Sequence, residues 1–219
     1  MVLLLKSSLD SSSHSVKKAA EIIRGGGVVA FPTETVYGLG ALASNAAAVE
    51  RIYRLKRRSR DKPISILIPD PAQLQHYVAD IPPGARRLMA RFWPGPLTLL
   101  FPAVPEVPSL LMGGSGKIGI RLSCHPVASL LVRQIGAAIT ATSANRSGAP
   151  SCCSCAEVIE QFGSELDAVV DGGLTPGSKG STIADVTTRP PEILRVGVIS
   201  AREVLTCWQG GEPQAEDSS

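Results

Sequence analysis

No stretch of this chain approaches the ~18 consecutive apolar residues that a membrane-crossing helix needs. Its opening residues, Met1-Val2-Leu3-Leu4-Leu5-Lys6, place no basic residue ahead of the short apolar patch and form no signal-peptide core. Both absences lead us to expect a soluble cytoplasmic protein with no membrane partner and with its five cysteines reduced. Aromatic residues make up only 4% of the 219 residues, so the core must be aliphatic. With 44% hydrophobic residues it needs no metal or disulfide staples. There is no G-x-x-x-x-G-K-[ST] and no G-x-G-x-x-G after a strand, which excludes a Walker-type phosphate loop and the dinucleotide fingerprint. G-x-S-x-G is absent too, so nothing forms a hydrolase nucleophile elbow. Cys152-Cys153-Ser154-Cys155 contains a C-x-x-C spacing, but a tetrahedral zinc site needs a second ligand pair, for which only Cys124-His125 stands nearby. We read these cysteines as small, semi-buried residues in a loop entering a helix.

Apolar runs and breakers set the order of elements. Helical spacing covers residues 16–24 and stops at Gly25-Gly26-Gly27. Residues 28–31 read as a buried strand, and Asn45 caps a helix through Arg57. Pro63 ends that helix, and 64–68 is a strand. Helices follow at 71–79 and 84–92, broken by Pro82-Pro83 and Pro94-Gly95-Pro96. Further strands are expected at 97–101, 118–122, 137–142, 168–170, 182–186 and 193–196, and helices at 127–134, 156–162 and 201–208. No repeat or linker divides the chain. The expectation is one α+β domain over 1–209, a three-layer α/β/α arrangement around a twisted mixed sheet of about seven strands covered on both faces. Residues 210–219 are polar and read as a disordered tail.

Three polar segments stand out. F-P-T-E-T-V-Y-G-L-G at 31–40 follows a buried strand and sets Thr33 and Thr35 on either side of Glu34. Gly38 and Gly40 let the chain turn or let a ligand approach the backbone. T-S-A-N-R-S-G at 142–148 again follows a strand with hydroxyls, an amide and a guanidinium. Such groups at strand ends suit a small polar ligand. Between them, Arg51, Arg54, Lys56, Arg57, Arg58, Arg60 and Lys62 face a single acid, Asp61, so one segment holds more positive charge than the whole chain's net +3. Helix-dipole complementation accounts for Arg51 and Arg54. Beyond the helix end the run suits a phosphate chain, gripped bidentately by arginine and as a point charge by lysine. Arg121, inside the apolar 118–122 run, and Arg195 each need either an internal acid or an anionic ligand, and neither has an obvious matching acid.

These segments, with the K-x-R and K-P pieces of 56–63, K-I-G-I-R at 117–121, G-S-T-I-A-D at 180–185 and I-L-R-V-G at 193–197, resemble the YrdC family in its own order, from about residue 16 to 204. The resemblance implies a YrdC/RibB-like fold and the activity of a threonylcarbamoyl-AMP synthase, the nucleotidyltransferase that starts threonylcarbamoyl-adenosine formation in tRNA. It implies L-threonine, bicarbonate and ATP as substrates, Mg²⁺ on the triphosphate, and threonylcarbamoyl transferases as downstream partners. Thr35, Arg121, Ser143 and Ser181 would hold threonine. Arg58, Lys62, Lys117, Asn145, Cys153 and Arg195 would hold ATP. No residue is expected as general base, because a carbamate is already an anion; Arg58 and Lys62 are the most critical for charge. Leu67 stands where many members have His, Cys153 where many have a hydroxyl residue, and Lys117 where a small hydroxyl residue is common. Without the C-terminal domain of longer members, the chain resembles the short form. A competing reading makes the 51–62 run a surface for tRNA or double-stranded RNA, without catalysis. A second, a carbamoyl-transferring relative from hydrogenase maturation, would carry zinc-finger and acylphosphatase segments that are not visible here.

Overall fold

Short β-rich runs that cannot bury both faces alone collect into two mixed sheets. The structure, a computed structural model, describes residues 2–6, 12–177 and 179–211. The expected tail lies outside these from residue 212 onward. One sheet joins β1 (Leu3–Lys6), β2 (Val29–Phe31), β3 (Gly38–Gly40), β8 (Thr142–Ser143) and β9 (Ala168–Asp171) in the order β1-β9-β2-β3-β8. The other joins β4 (Ile66–Leu67), β5 (Leu97–Pro102), β6 (Lys117–Arg121), β7 (Ile139–Thr140), β10 (Thr182–Asp185) and β11 (Glu192–Arg195) in the order β11-β10-β5-β6-β4-β7. The mixed α+β class is as expected, but the strands divide between two sheets instead of one of about seven. The sheets are stitched where Leu42 bridges Ile139 and where only Ala141 separates β7 from β8.

Helices α1 (Ser12–Arg24) and α5 (Pro126–Ile135) pack on one another over the first sheet, burying Val16, Ala20, Ile23, Leu131 and Val132 against Val29, Phe31 and Val170. A second, larger core takes side chains from α2 (Ala46–Lys56), α3 (Pro83–Phe92), the single turn α4 (Ser109–Met112), α6 (Cys155–Phe162) and α7 (Ala201–Gln209). Each fully buried aliphatic side chain contributes about 1.5–3 kcal/mol. Asn45 caps α2 as its sequence implies, its Oδ1 accepting from Ala48 N at 3.1 Å. The expected helix at 71–79 is a 3-10 turn, Pro71–His76, capped by Asp70. Among the described residues no helix is long and apolar enough to cross a membrane.

Alternation along β5 and β6 positions the site. Leu99, Phe101, Ile118 and Ile120 are fully buried in the core, while Thr98, Leu100, Gly119 and Arg121 face the other way. That second face floors a cavity.

Candidate functional site

The two sheets together wall a cavity of about 270 Å³. Thr33, Thr35, Val36 and Tyr37 reach it from the segment between β2 and β3, with Gly38 of β3 and Thr142 and Ser143 of β8 beside them. Opposite stand Thr98 and Leu100 of β5, Gly119 and Arg121 of β6, Ser181 and Ile183 at β10, and Leu194 and Arg195 of β11. Arg58, Pro63 and Ser65 enter from the link between α2 and β4.

Local chemistry explains the turn after β2. Pro32 has no N–H for a ladder. Thr33 Oγ1 then accepts from Thr35 N at 3.2 Å and donates to Val36 O at 2.7 Å, while the Thr35 hydroxyl sits 3.0 Å away. Both threonines are buried. Gly40 serves packing, since a Cβ there would meet Phe31 Cε1 at 2.7 Å; Gly38 does line the cavity.

Among the described residues, three guanidinium groups, from Arg58, Arg121 and Arg195, line this space, and no carboxylate does. Arg121 is almost fully buried. It donates to Thr35 Oγ1 at 3.3 Å, and its Nη1 lies 3.2 Å from Glu34 Oε1. The acid missing from the sequence reading is therefore Glu34, distant in sequence but in direct contact, between the two threonines. Arg195 has no acid partner among the described residues. Its Nε and Nη2 donate to the Ser181 carbonyl at 3.0 and 2.8 Å, and Nη2 also reaches the Ser181 hydroxyl at 3.0 Å. Arg58 donates to the carbonyls of Lys62 and Pro63 at 3.3 and 2.9 Å. Burial first, then the charges of Arg121 and Arg58, lower the pKa of Arg195; burial lowers that of Arg58. Arginine stays charged regardless, so these shifts register mainly the cost of holding a buried charge, with repulsion from neighbouring guanidinium groups added at Arg195 alone.

The remaining expected site residues lie outside the lining. Lys62 is exposed beside Pro63. Lys117 is committed to Asp185, with Nζ 2.6 Å from Oδ2. Asn145 accepts from Ser143 Oγ at 2.5 Å and donates to Ala149 O at 2.6 Å, which makes it a brace for Ser143. Cys153 is half-buried and its carbonyl accepts from Thr175 N at 2.9 Å. Leu67 is fully buried in the core under α1 and α5. Cys152 and Cys155 are buried, not semi-buried as expected, and only Cys153 is half-buried; α6 starts at Cys155 with Ser154 as its cap, and burial pushes the Cys152 and Cys155 thiols up to about 12 and 11. Among the described residues no three His, Cys, Asp or Glu gather as a metal site.

The basic run is less of a surface than its sequence suggests. Arg51 pairs with Asp167 at 2.5 Å and Arg60 with Glu50 at 2.5 Å. Lys56 is buried, and its ammonium donates to the carbonyls of Ser143 and Asn145 and to Asn145 Oδ1. Arg57 caps α2 in the left-handed region (φ 49°, ψ 42°), which reverses the chain and turns Arg58 inward. Sequence reasoning missed Lys56, Ser65, Thr98 and Gly119. For Thr98 and Gly119 a signal existed, because Gly119 shares a strand face with Arg121 and Thr98 interrupts the apolar run Leu97, Leu99, Leu100.

A family model named Sua5_yciO_yrdC, with the description "Telomere recombination", matches residues 21–197. The chain is 42% identical over 189 residues to a threonylcarbamoyl-AMP synthase of Pyrococcus abyssi, covering 86% of this chain and 56% of that protein. It is 40% identical over 197 residues to a threonylcarbamoyl-AMP synthase of Bacillus subtilis, covering 90% and 57%. The chain thus spans little more than half the length of these curated relatives. Among solved structures, that of Pyrococcus abyssi Sua5 complexed with L-threonine superposes with a TM-score of 0.89 at 39% identity, over 94% of this chain and 60% of that one. Motif order, fold and matched span agree, and the chain belongs to the Sua5/YciO/YrdC family.

Proposed function

We propose that this chain forms L-threonylcarbamoyl-AMP and pyrophosphate from L-threonine, bicarbonate and ATP. The observation that carries the reading is the cavity's composition: three arginines and a ring of hydroxyls, with no lining carboxylate. Such a site suits two anions, an amino-acid carboxylate and a phosphate chain. The names of the 40–42% identical relatives and the threonine complex of the Pyrococcus abyssi protein support the same assignment.

In this reading Arg121, Thr35, Ser143 and Ser181 hold threonine, while Arg58 and Arg195 hold the triphosphate. Lys62 sits at the rim, and Asn145 acts through Ser143. The threonine amine adds to carbon dioxide derived from bicarbonate and loses a proton, giving a carbamate. A carbamate oxygen then bonds to the α-phosphorus as the bond to the β-phosphate oxygen breaks, and pyrophosphate leaves. The chain's part is alignment and neutralisation of charge as it develops. Mg²⁺ would arrive on the triphosphate with its waters, because the lining offers hydroxyls but no carboxylate. The product is an activated acyl phosphate, to be consumed by a threonylcarbamoyl transferase acting on tRNA.

Pyrophosphate release, measured with each substrate omitted in turn, tests this. It should require both threonine and bicarbonate, and serine should be poorer by ~1–3 kcal/mol for its missing methyl. Equal release without amino acid would replace the reading with a plain ATPase.

A further inference from the structure

We infer that Glu34 is the residue that positions Arg121 for the amino-acid carboxylate; the inference rests on the function proposed above. Thr33 and Thr35 line the cavity, but Glu34 between them does not. Its side chain points behind Arg121 and is 11% exposed, against 7% for that of Arg121. Two buried opposite charges therefore face each other immediately outside the cavity wall. An isolated buried carboxylate would be costly, so the pair must be maintained by its surroundings.

The contacts show a division of labour on the guanidinium. Arg121 Nη1 is taken by Glu34 Oε1 at 3.2 Å and by Thr35 Oγ1 at 3.3 Å. Among the described residues no acceptor is recorded for the Nε and Nη2 donors. One edge of the fork is anchored and another stays free, which is what bidentate capture of a carboxylate needs. Glu34 is itself oriented: Ser123 Oγ donates to Oε2 and in turn accepts from His125 N at 3.2 Å. Oε1 makes no hydrogen bond of good geometry and meets Arg121 through charge alone. Glu34 also supplies negative charge directly beside Arg121, one of the three guanidinium groups. Removing it should leave the cavity more positive. That sets opposite expectations for the two substrates: threonine loses a pre-aimed fork, whereas ATP meets at least as much positive charge as before.

Glu34→Gln keeps shape and the Ser123 contact while removing charge. Calorimetry and steady-state pyrophosphate release should show threonine Kd and KM rising on the order of tenfold, the cost of a loosened fork, with ATP KM unchanged or lower. Glu34→Asp should recover part of the threonine affinity, because the charge returns at shorter reach. A general folding defect would instead weaken both substrates and lower the urea midpoint. Threonine affinity unchanged or tighter in Glu34→Gln, in a variant that melts like the parent, overturns the inference. A parent protein that neither binds threonine nor releases pyrophosphate would overturn the proposed function itself, whatever the variants do.

Discussion

Arg195 wraps Ser181: it donates two hydrogen bonds to the serine's carbonyl and one to its hydroxyl. The residue assigned to the triphosphate and a residue assigned to threonine are thus one mechanical unit. The segment after β11 closes it from behind, where Gly197 lies so near that a Cβ would be 2.5 Å from Ser181 C and 2.6 Å from Thr182 N. Those neighbours are backbone and cannot step aside. Gly197→Ala should therefore raise KM for both substrates and lower the melting temperature. In a double-mutant cycle, Ser181→Ala and Arg195→Ala should be non-additive in turnover by about 0.5–3 kcal/mol. Strict additivity would mean that the two act independently.

Arg121→Ala should weaken threonine binding far more than ATP binding. Arg121→Lys should rescue little, since an ammonium cannot satisfy Glu34, Thr35 and a carboxylate with fork geometry. Calorimetry with unchanged threonine affinity would leave Arg121 as a structural partner of Glu34 only.

The basic run should divide by environment. Arg58→Ala is expected to cut ATP affinity about tenfold or more, the loss of a charge-assisted bond of about 1.5–3 kcal/mol. Lys62→Ala should follow the same direction, more weakly, from its exposed position. Arg54→Ala should be silent in turnover. Arg51→Ala should also spare turnover but lower stability by about 0.2–1 kcal/mol, because its pair with Asp167 is partly exposed. If all four variants weaken RNA binding alike and spare ATP turnover, the run is an RNA surface after all.

Lys56 predicts a pH dependence of stability. Burial, then the charge of Arg58, push it from 10.5 down to about 7. Between those values the unfolded chain binds more protons than the folded one, so stability should rise with pH across that window. The clean interval is pH 7 to 8.5. Above 9.0, the buried thiols of Cys152 and Cys155 contribute the opposite slope, because their folded pKa values are raised. Urea midpoints should increase through this interval in the parent and lose the slope in Lys56→Met. A flat parent profile would show that the three oxygen acceptors keep the ammonium charged throughout.

Much of the fold was legible because local signals agreed with the final packing. Asn45 caps α2, Gly25-Gly26-Gly27 follows α1, and Pro94-Gly95-Pro96 separates α3 from β5. What escaped was non-local. Leu3–Lys6 is a strand only because it pairs in parallel with β9, more than 160 residues away. The partition into two sheets depends on a crossing at Ala141 that no propensity marks. At the site, hydroxyls and arginines were readable as ligand groups, and six of the ten expected residues do line the cavity. The inward turn of Lys56 was not readable, because a lysine in a basic helix looks like surface until its neighbours are placed. Glu34 escaped for a similar reason: its partner sits on a strand distant in sequence.

The division into two sheets has a consequence for how this protein breathes. The cavity is walled from both sheets, and the seam between them is crossed by the Leu42–Ile139 bridge and by the contacts of Arg121 with Glu34 and Thr35. A ligand that touches Thr35 and Ser143 on one side and Arg121 and Ser181 on the other acts as a rivet across that seam. Occupancy would then slow amide exchange in β8 and β10 together, with a stabilisation that grows as the logarithm of ligand concentration over its Kd, about 2.7 kcal/mol at a hundredfold excess over Kd.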